Sequence, residues 1–416
     1  MFRSKFYSFL MVVWTLLILS ASPHLYAMET AADENIAALK ILFSVKPAEL
    51  DTAKYFSPEF LKAVPDDKLK PLLAELSSKL GEFRSAVRVS EGSYNLIFSK
   101  GRMPSKISLN AKKLIAGLWV GNPVLAGDDF EKISKDLKTL EGTVSVAVIK
   151  NGSEAVFLLD PDVPLGVGSA FKLYVLKALN EKIKEGGCAD NTVVELSKND
   201  FSLPTGMLQN WPDKTPLTLR TLANLMISIS DNTATDTLIG YLGRDRVEKC
   251  APERVRPFLK TLEMFKIKWA ISDKERGEYL AASLNEKYKL LERLAGMDES
   301  KIKIDLSRPI LIDRVEWHMT ARELCGVISE LKGDPSISIN PGIADPASWH
   351  EIGFKGGSET GVLNYTHILQ KKEGGDFYSV SATINNESAE VQTEKFTELT
   401  ARIISLLEDE KLKKSE

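Results

Sequence analysis

Three short clusters in this sequence bring together residue types that could do chemistry with one another. The first is Ser169-Ala170-Phe171-Lys172, at the head of the helical pattern SAFKLYVLKALNEKIKEG. Residues three apart on a helix share a face with their Cβ atoms ~5–6 Å apart, close enough for the amine to hydrogen-bond the hydroxyl. An ordinary lysine is protonated at neutral pH and useless as a base. Partial burial at a helix N-terminus, beside a second cation, lowers its pKa and lets it take the serine proton. The helix dipole and the Ser169 backbone N–H would then stabilise negative charge on an attacked carbonyl. A second copy of the spacing, Ser329 to Lys332, ends a helical pattern just before Gly333 and reads as structural.

The second cluster, Ser230-Asp231-Asn232, lies between the helical patterns TPLTLRTLANLMISI and TATDTLIGYLG. A turn between helices can face a serine hydroxyl and an asparagine amide into a cleft, while Asp231 is the residue type that caps the next helix. The third, Lys355-Gly356-Gly357-Ser358, is embedded in the extended stretch WHEIGFKGGSETGVLNYTHILQ. A cation on a strand next to two glycines lets a substrate approach the backbone edge, and Ser358 adds a hydroxyl and an N–H. Alone, each cluster also has a plain reading: a helix-surface pair, a cap, an ordinary turn or bulge.

These residues need a frame, and the flanking patterns supply one. DFEKISKDLKTL reads as a helix, and the extended stretches TVSVAVIK and EAVFLLD flank Asn151-Gly152, a strong hairpin signal. After the third cluster come a further strand, FYSVSATIN, and a C-terminal helix, EKFTELTARIISLLED. Turn residues concentrate at GNPVLAGDDF, which marks a boundary. Ahead of it, AADENIAALKILFS carries Ile36, Leu39, Leu42 and Phe43 on one helical stripe. DDKLKPLLAELSSKLGEF does the same with Leu69, Leu72, Leu73, Leu76 and Leu80. Strand-like pieces follow around SAVRVSEGSYNLIFS and KISLNAKKLIAGLWVG, so residues 28–125 form a small, non-catalytic α+β domain. Residues 126–416 form the larger domain. At the N-terminus, Arg3 and Lys5 precede an apolar run from Phe9 to Leu19 that is short for a membrane span of ~20 residues. Residues 1–27 are therefore expected to be a cleavable signal peptide and the product to be exported, periplasmic or extracellular.

Composition narrows the chemistry. With 54 Lys+Arg against 57 Asp+Glu the net charge is −3, which argues against a nucleic-acid binder. Four histidines (His24, His318, His350, His367) and three cysteines (Cys188, Cys250, Cys325) exclude a zinc-finger array and a disulfide-built scaffold, and favour serine or lysine chemistry. The cysteines are read as separate small core residues.

Taken in order, S-x-x-K, S-D-N and Lys-x-Gly resemble the penicillin-recognising serine hydrolases, and the first spacing is similar to that of class A β-lactamases. The resemblance covers about 130 to 408. It implies an α/β sandwich of β-lactamase/DD-peptidase type, an antiparallel sheet plus an all-helical part, with the site between them. It implies that Ser169 is the acylated nucleophile, Lys172 its base and Ser230 the proton shuttle to the leaving group. Asn232 would hold a substrate amide. Lys355 would steady the substrate carboxylate and the Ser230 hydroxyl, the Ser358 side chain would contact that carboxylate, Gly357 would belong to the substrate-binding set, and the N–H groups of Ser169 and Ser358 would form the oxyanion hole.

The departures are as specific. No Glu-x-x-Leu-Asn pattern, the family's source of a deacylating base, lies between Asn232 and Lys355; that interval instead carries an inserted helical segment, SDKERGEYLAASLNEKYKLLERLAG. Asp305, Asp313 and Glu316 stand near the expected place and read as surface or capping groups. No arginine follows Lys355 on its strand, which leaves Arg402 on the C-terminal helix as a candidate for carboxylate support. The small domain in front resembles the subgroup with an isomerase- or cystatin-like N-terminal domain. The expectation is an exported serine hydrolase of β-lactams or related amides and esters, working as a monomer on a small molecule, without metal or cofactor. The alternatives are a peptidoglycan DD-peptidase or esterase, and a protein that binds β-lactams without turnover.

Overall fold

The computed structural model describes residues 25–121, 123–297, 302–346 and 348–408, so the expected signal peptide lies outside the described residues except for Leu25 to Ala27. The chain divides into two units, Met1–Asp129 and Phe130–Glu416.

In the first unit four antiparallel strands, Phe83–Ser90, Ser93–Phe98, Gly101–Leu109 and Ile115–Val120, run in sequence order, and Val124–Leu125 pairs with the third. The strand Ser93–Phe98 buries alternate residues, the period-2 signature of a sheet with one covered face. That face meets two helices, Leu25–Ser44 and Asp66–Leu80. Leu69, Leu73, Leu76 and Leu80, on one stripe of the second helix, join Leu39, Leu42, Tyr94, Leu96 and Phe98 in a single core. The order helices then strands thus gives the expected α+β unit. Two shorter helices, Thr52–Tyr55 and Pro58–Ala63, lie in between and carried no periodic signal.

The second unit is built on a five-stranded antiparallel sheet. Its spatial order is Glu351–Glu359, Val362–Gln370, Phe377–Asn385, Thr143–Lys150, Glu154–Leu159. The strand Thr143–Lys150 shows how it is covered. Val144, Val146 and Val148 enter one core with Ile403, Ile404 and Leu407 of the C-terminal helix Thr393–Glu408, while Ala147 and Ile149 meet Ala321 and Cys325 of the helix Ala321–Glu330. Both faces are therefore buried, which is why the strand reads as an almost continuous apolar run. The hairpin turns through Asn151 and Gly152 with φ of 50° and 77°, the double left-handed geometry that Asn-Gly favours.

A separate helical core gathers around Lys172–Lys184, Leu219–Ser228, Asn232–Leu242 and Thr261–Trp269. The inserted segment forms two helices, Asp273–Ala281 and Leu284–Ala295, each started by a Ser-to-Glu capping box. The architecture is the expected sandwich of an antiparallel sheet and a helical part. All three cysteines are unpaired; Cys325 is buried, Cys188 and Cys250 half-buried.

Candidate active site

Ser169 sits in a short 3-10 turn, Gly168–Phe171, that runs directly into the helix Lys172–Lys184. Phe171 anchors the turn by stacking on Trp317, with ring centroids 3.7 Å apart and planes 13° from parallel. The N–H of Ser169 is among the first of the helical segment and has no intrahelical acceptor.

Lys172 is fully buried. Its ammonium donates to Ser230 O at 2.7 Å, Ser230 Oγ at 3.0 Å and Asn232 Oδ1 at 2.6 Å. These three bonds use all its protons. The i, i+3 spacing led to the expectation of a direct bond to Ser169, but the amine is spent on the S-D-N turn. Cβ proximity on a helix does not fix where a four-carbon stem ends.

That turn is held from several sides. Ser230 has φ 59°, a left-handed conformation that costs a non-glycine residue ~1–2 kcal/mol. Thr205 Oγ1 donates to Ser230 O at 2.7 Å, and Asn232 N donates to Thr205 O at 3.0 Å. Asp231 caps the helix Asn232–Leu242 by accepting from Ala234 N at 2.8 Å; its other oxygen accepts from Met207 N at 2.7 Å and Leu208 N at 3.0 Å. Asn232 Nδ2 donates to Leu203 O at 3.0 Å. The segment 203–208 is thus a wall of the site, one that sequence reading missed because its contacts lie more than twenty residues away.

Lys355, also buried, donates to Ser230 Oγ at 3.2 Å and to Gly356 O at 2.6 Å. The Ser230 hydroxyl therefore bridges two amines. Burial pushes Lys355 down to about 7. Burial and, next, the charge of Lys355 push Lys172 well below the usual lysine range. Two ammonium groups sharing one hydroxyl in a dry site cannot both stay charged cheaply, so one of them is disposed to be a neutral base.

Gly357 explains how the strand and the nucleophile turn come together. A Cβ there would lie 2.0 Å from Val167 O, 2.5 Å from Ser169 N and 2.8 Å from Ala170 N. The missing side chain faces the protein, so this glycine admits the Ser169 turn rather than opening the edge to substrate. On the other side, a Cβ on Gly168 would lie 2.9 Å from Ser358 N. The backbones of Ser169 and Ser358 therefore meet at one place, as a two-donor oxyanion site requires. Gly357→Ala must displace backbone, not a flexible side chain; it is expected to cost ~2 kcal/mol or more of stability and most of the activity, read by urea denaturation and by turnover.

Ser169, Ser230, Asn232, Lys355, Gly357 and Ser358 all line one cavity of about 570 Å³, with Lys172 sealed behind them. Its wall also contains Phe265, Trp269, Ile304 and Leu306, which no short motif marked. Arg402 is a correction: its guanidinium binds Asp136 at 2.8 Å in the layer between two helices on the far side of the sheet, and it does not line the cavity. Of the residues expected to meet a substrate carboxylate, Lys355 and Ser358 do line that cavity. Of the three carboxylates near the expected base position, Asp305 accepts from Ser307 in an exposed turn and Asp313 is exposed. Glu316 is neither a surface nor a capping group: it is buried and paired with Lys268 at 3.1 Å.

Residues 129–306 match the family model Beta-lactamase2, described as a beta-lactamase enzyme family. The match contains Ser169, Lys172, Ser230 and Asn232, and bears out the resemblance over that segment. No curated protein matches. Among solved structures, a β-lactamase from Sphaerobacter thermophilus DSM 20745 is 19% identical with a TM-score of 0.46, covering 67% of this chain and 98% of its own. PBP-A is 16% identical with a TM-score of 0.46, covering 67% and 94%. A β-lactamase from Xanthomonas campestris pv. campestris is 13% identical with a TM-score of 0.47, covering 67% and 97%.

Proposed function

We propose that this chain is an exported serine hydrolase that opens β-lactams or related amides and esters through an acyl-enzyme on Ser169. The observation that carries the reading is the Ser230 hydroxyl held between Lys172 and Lys355 in the cavity that Ser169 lines. In this mechanism Ser169 Oγ attacks the carbonyl carbon. Its proton passes toward neutral Lys172, and the carbonyl oxygen takes its charge between the N–H groups of Ser169 and Ser358. Ser230 hands a proton to the leaving nitrogen or oxygen, and the two amines restore it. The small unit in front belongs, on this reading, to the subgroup with an isomerase- or cystatin-like N-terminal domain.

The cavity wall bears on the substrate. Ile229, Ile304 and Leu306 are 45%, 41% and 59% exposed, and all three border the cavity beside Phe265 and Trp269. Large apolar side chains left open around a cleft favour an acyl group that is itself apolar. Phenylacetyl esters and amides are expected to show kcat/KM ~10-fold or more above their acetyl counterparts, since one aromatic ring buries enough apolar surface for that difference. Equal values would remove the apolar wall from substrate selection.

The decisive experiment is stopped-flow hydrolysis of a chromogenic cephalosporin, with intact-mass analysis of the mixture. Continued product release supports a hydrolase. A single stoichiometric burst supports the second reading, a β-lactam-binding protein, which the missing Glu-x-x-Leu-Asn pattern favours. A peptidoglycan DD-peptidase, by contrast, would release D-alanine from a peptide ending in D-Ala-D-Ala.

A further inference from the structure

A buried charge cluster borders the same cavity and has no part in the acylation steps. Lys268 donates to Glu359 Oε1 at 2.6 Å and to Glu316 Oε1 at 3.1 Å. Trp317 N donates to the second Glu316 oxygen at 3.3 Å. The lysine side chain is 0% exposed and that of Glu316 1%, whereas Glu359 keeps 14%, and both carboxylates border the cavity. One carboxylate is sealed and the other is open to water.

Strand geometry places Glu359 relative to the nucleophile. Lys355, Gly357 and Glu359 alternate onto one face of the strand Glu351–Glu359. The Gly357 position on that face touches the Ser169 turn, with its hypothetical Cβ 2.5 Å from Ser169 N. Glu359 follows two residues on, ~7 Å further along the strand. Glu359 and Ser169 both line the cavity of about 570 Å³, whose volume admits water beside each of them. Glu316 approaches from the other side, its Cβ 3.4 Å from where a Cβ on Gly166 would stand.

We propose that Glu359 is the general base of deacylation, activating the water that cleaves the acyl-Ser169 ester, with Glu316 and Lys268 as positioning residues. The proposal rests on the acyl-enzyme reading above. As the water oxygen bonds to the acyl carbon, its proton goes to the Glu359 carboxylate. The bond from the carbon to Ser169 Oγ breaks, and Oγ regains a proton through the Ser230–Lys172 pair. The product leaves as a carboxylic acid that ionises, and the proton on Glu359 passes through water to the Ser230–Lys172 pair, replacing the one given to Oγ. One lysine cation balances one carboxylate; the other is left beside a like charge in a largely buried wall. Burial, then the charge of Glu316, accordingly raise Glu359 above the usual carboxylate range, into the region where a base is effective near neutrality. Sequence reading passed over Glu359 because it directly follows a motif and matches none.

The test is the decay of the mass-detected adduct after rapid removal of free β-lactam, measured from pH 6 to 9. In the wild type the decay rate should still climb above pH 7, because the base form of Glu359 increases as pH rises through its raised pKa. Glu359→Gln should form the adduct at a rate within ~3-fold of wild type and lose it ~10²-fold or more slowly. Glu316→Gln, whose single acceptor oxygen keeps one of the Lys268 and Trp317 contacts while the neighbouring charge is removed, should move the pH limb to lower pH. A salt bridge that only ties the fold together predicts none of this split. Unchanged decay in Glu359→Gln, or decay independent of pH in the wild type, would overturn the assignment while leaving the acyl-enzyme intact. A wild type that never forms an adduct overturns the acyl-enzyme reading and this proposal with it.

Discussion

Ser169→Ala is expected to abolish the covalent adduct and to lower kcat/KM for a chromogenic β-lactam by ~10³-fold or more, the usual consequence of deleting a nucleophile whose partners act as a unit with it. The structure makes this a clean experiment. No proton of Lys172 is committed to Ser169, since all three go to Ser230 and Asn232. Removing the hydroxyl therefore leaves the buried amine satisfied, and stability should stay within ~0.5 kcal/mol of wild type. Lys172→Met also stops acylation, but it strands Asn232 Oδ1 in a buried site, while Ser230 O keeps its bond from Thr205 Oγ1, and should cost ~1–3 kcal/mol of stability as well. Three other serines, Ser228, Ser230 and Ser358, border the same cavity. Intact mass separates them: an adduct of undiminished yield on Ser169→Ala would assign the nucleophile to one of these, and the proposed mechanism would fail.

How much of this was legible beforehand depended on the range of each signal. Asn151-Gly152 announced its hairpin because two adjacent left-handed residues leave a local mark on composition. The two stripes of leucine and phenylalanine in the first unit did the same through helical period. Chemistry-bearing residue types at fixed spacing nominated Ser169, Ser230 and Lys355, which the fold gathers at one cavity. The direction of Lys172 was not legible, since spacing fixes a Cβ and not an amine four carbons away. Arg402 is suggested only by the absence of an arginine after Lys355 on its strand; its helix face, set by the apolar residues around it, turns it to Asp136 instead. Glu316 looked like a surface group because its counter-ion, Lys268, is 48 residues away and on another element. Long-range pairings of this kind leave no trace in a local pattern.

The pH dependence offers the second large effect, and its sign follows from the two lysines. Lys172 must be neutral to take the Ser169 proton, so acylation should rise with pH through its depressed pKa. Lys355 must be charged to hold a substrate carboxylate, and its pKa of about 7 means that this charge is lost as pH rises past neutrality. For a carboxylate-bearing β-lactam, kcat/KM should therefore follow a bell whose alkaline limb falls near pH 7, while a neutral ester lacks that limb. In kcat the limb should move to higher pH, because the bound carboxylate favours the ammonium. Lys355→Met removes the alkaline limb and raises KM for the carboxylate substrate ~10²-fold or more, as expected for a lost charge-assisted contact in a buried site. It also shifts the acid limb to higher pH, because Lys355 is the nearest charge opposing protonation of Lys172. Stability carries the opposite sign from the usual lysine pair. The folded pKa lies below the unfolded value, so between about 7 and the ordinary lysine value of 10.5 the unfolded chain binds the extra proton, and stability rises with pH. Wild type should gain ~2 kcal/mol relative to Lys355→Met between pH 6 and pH 9, measured by urea denaturation at both. A difference that does not change with pH would mean that Lys355 stays charged in the free enzyme, and the alkaline limb would then have to come from another group.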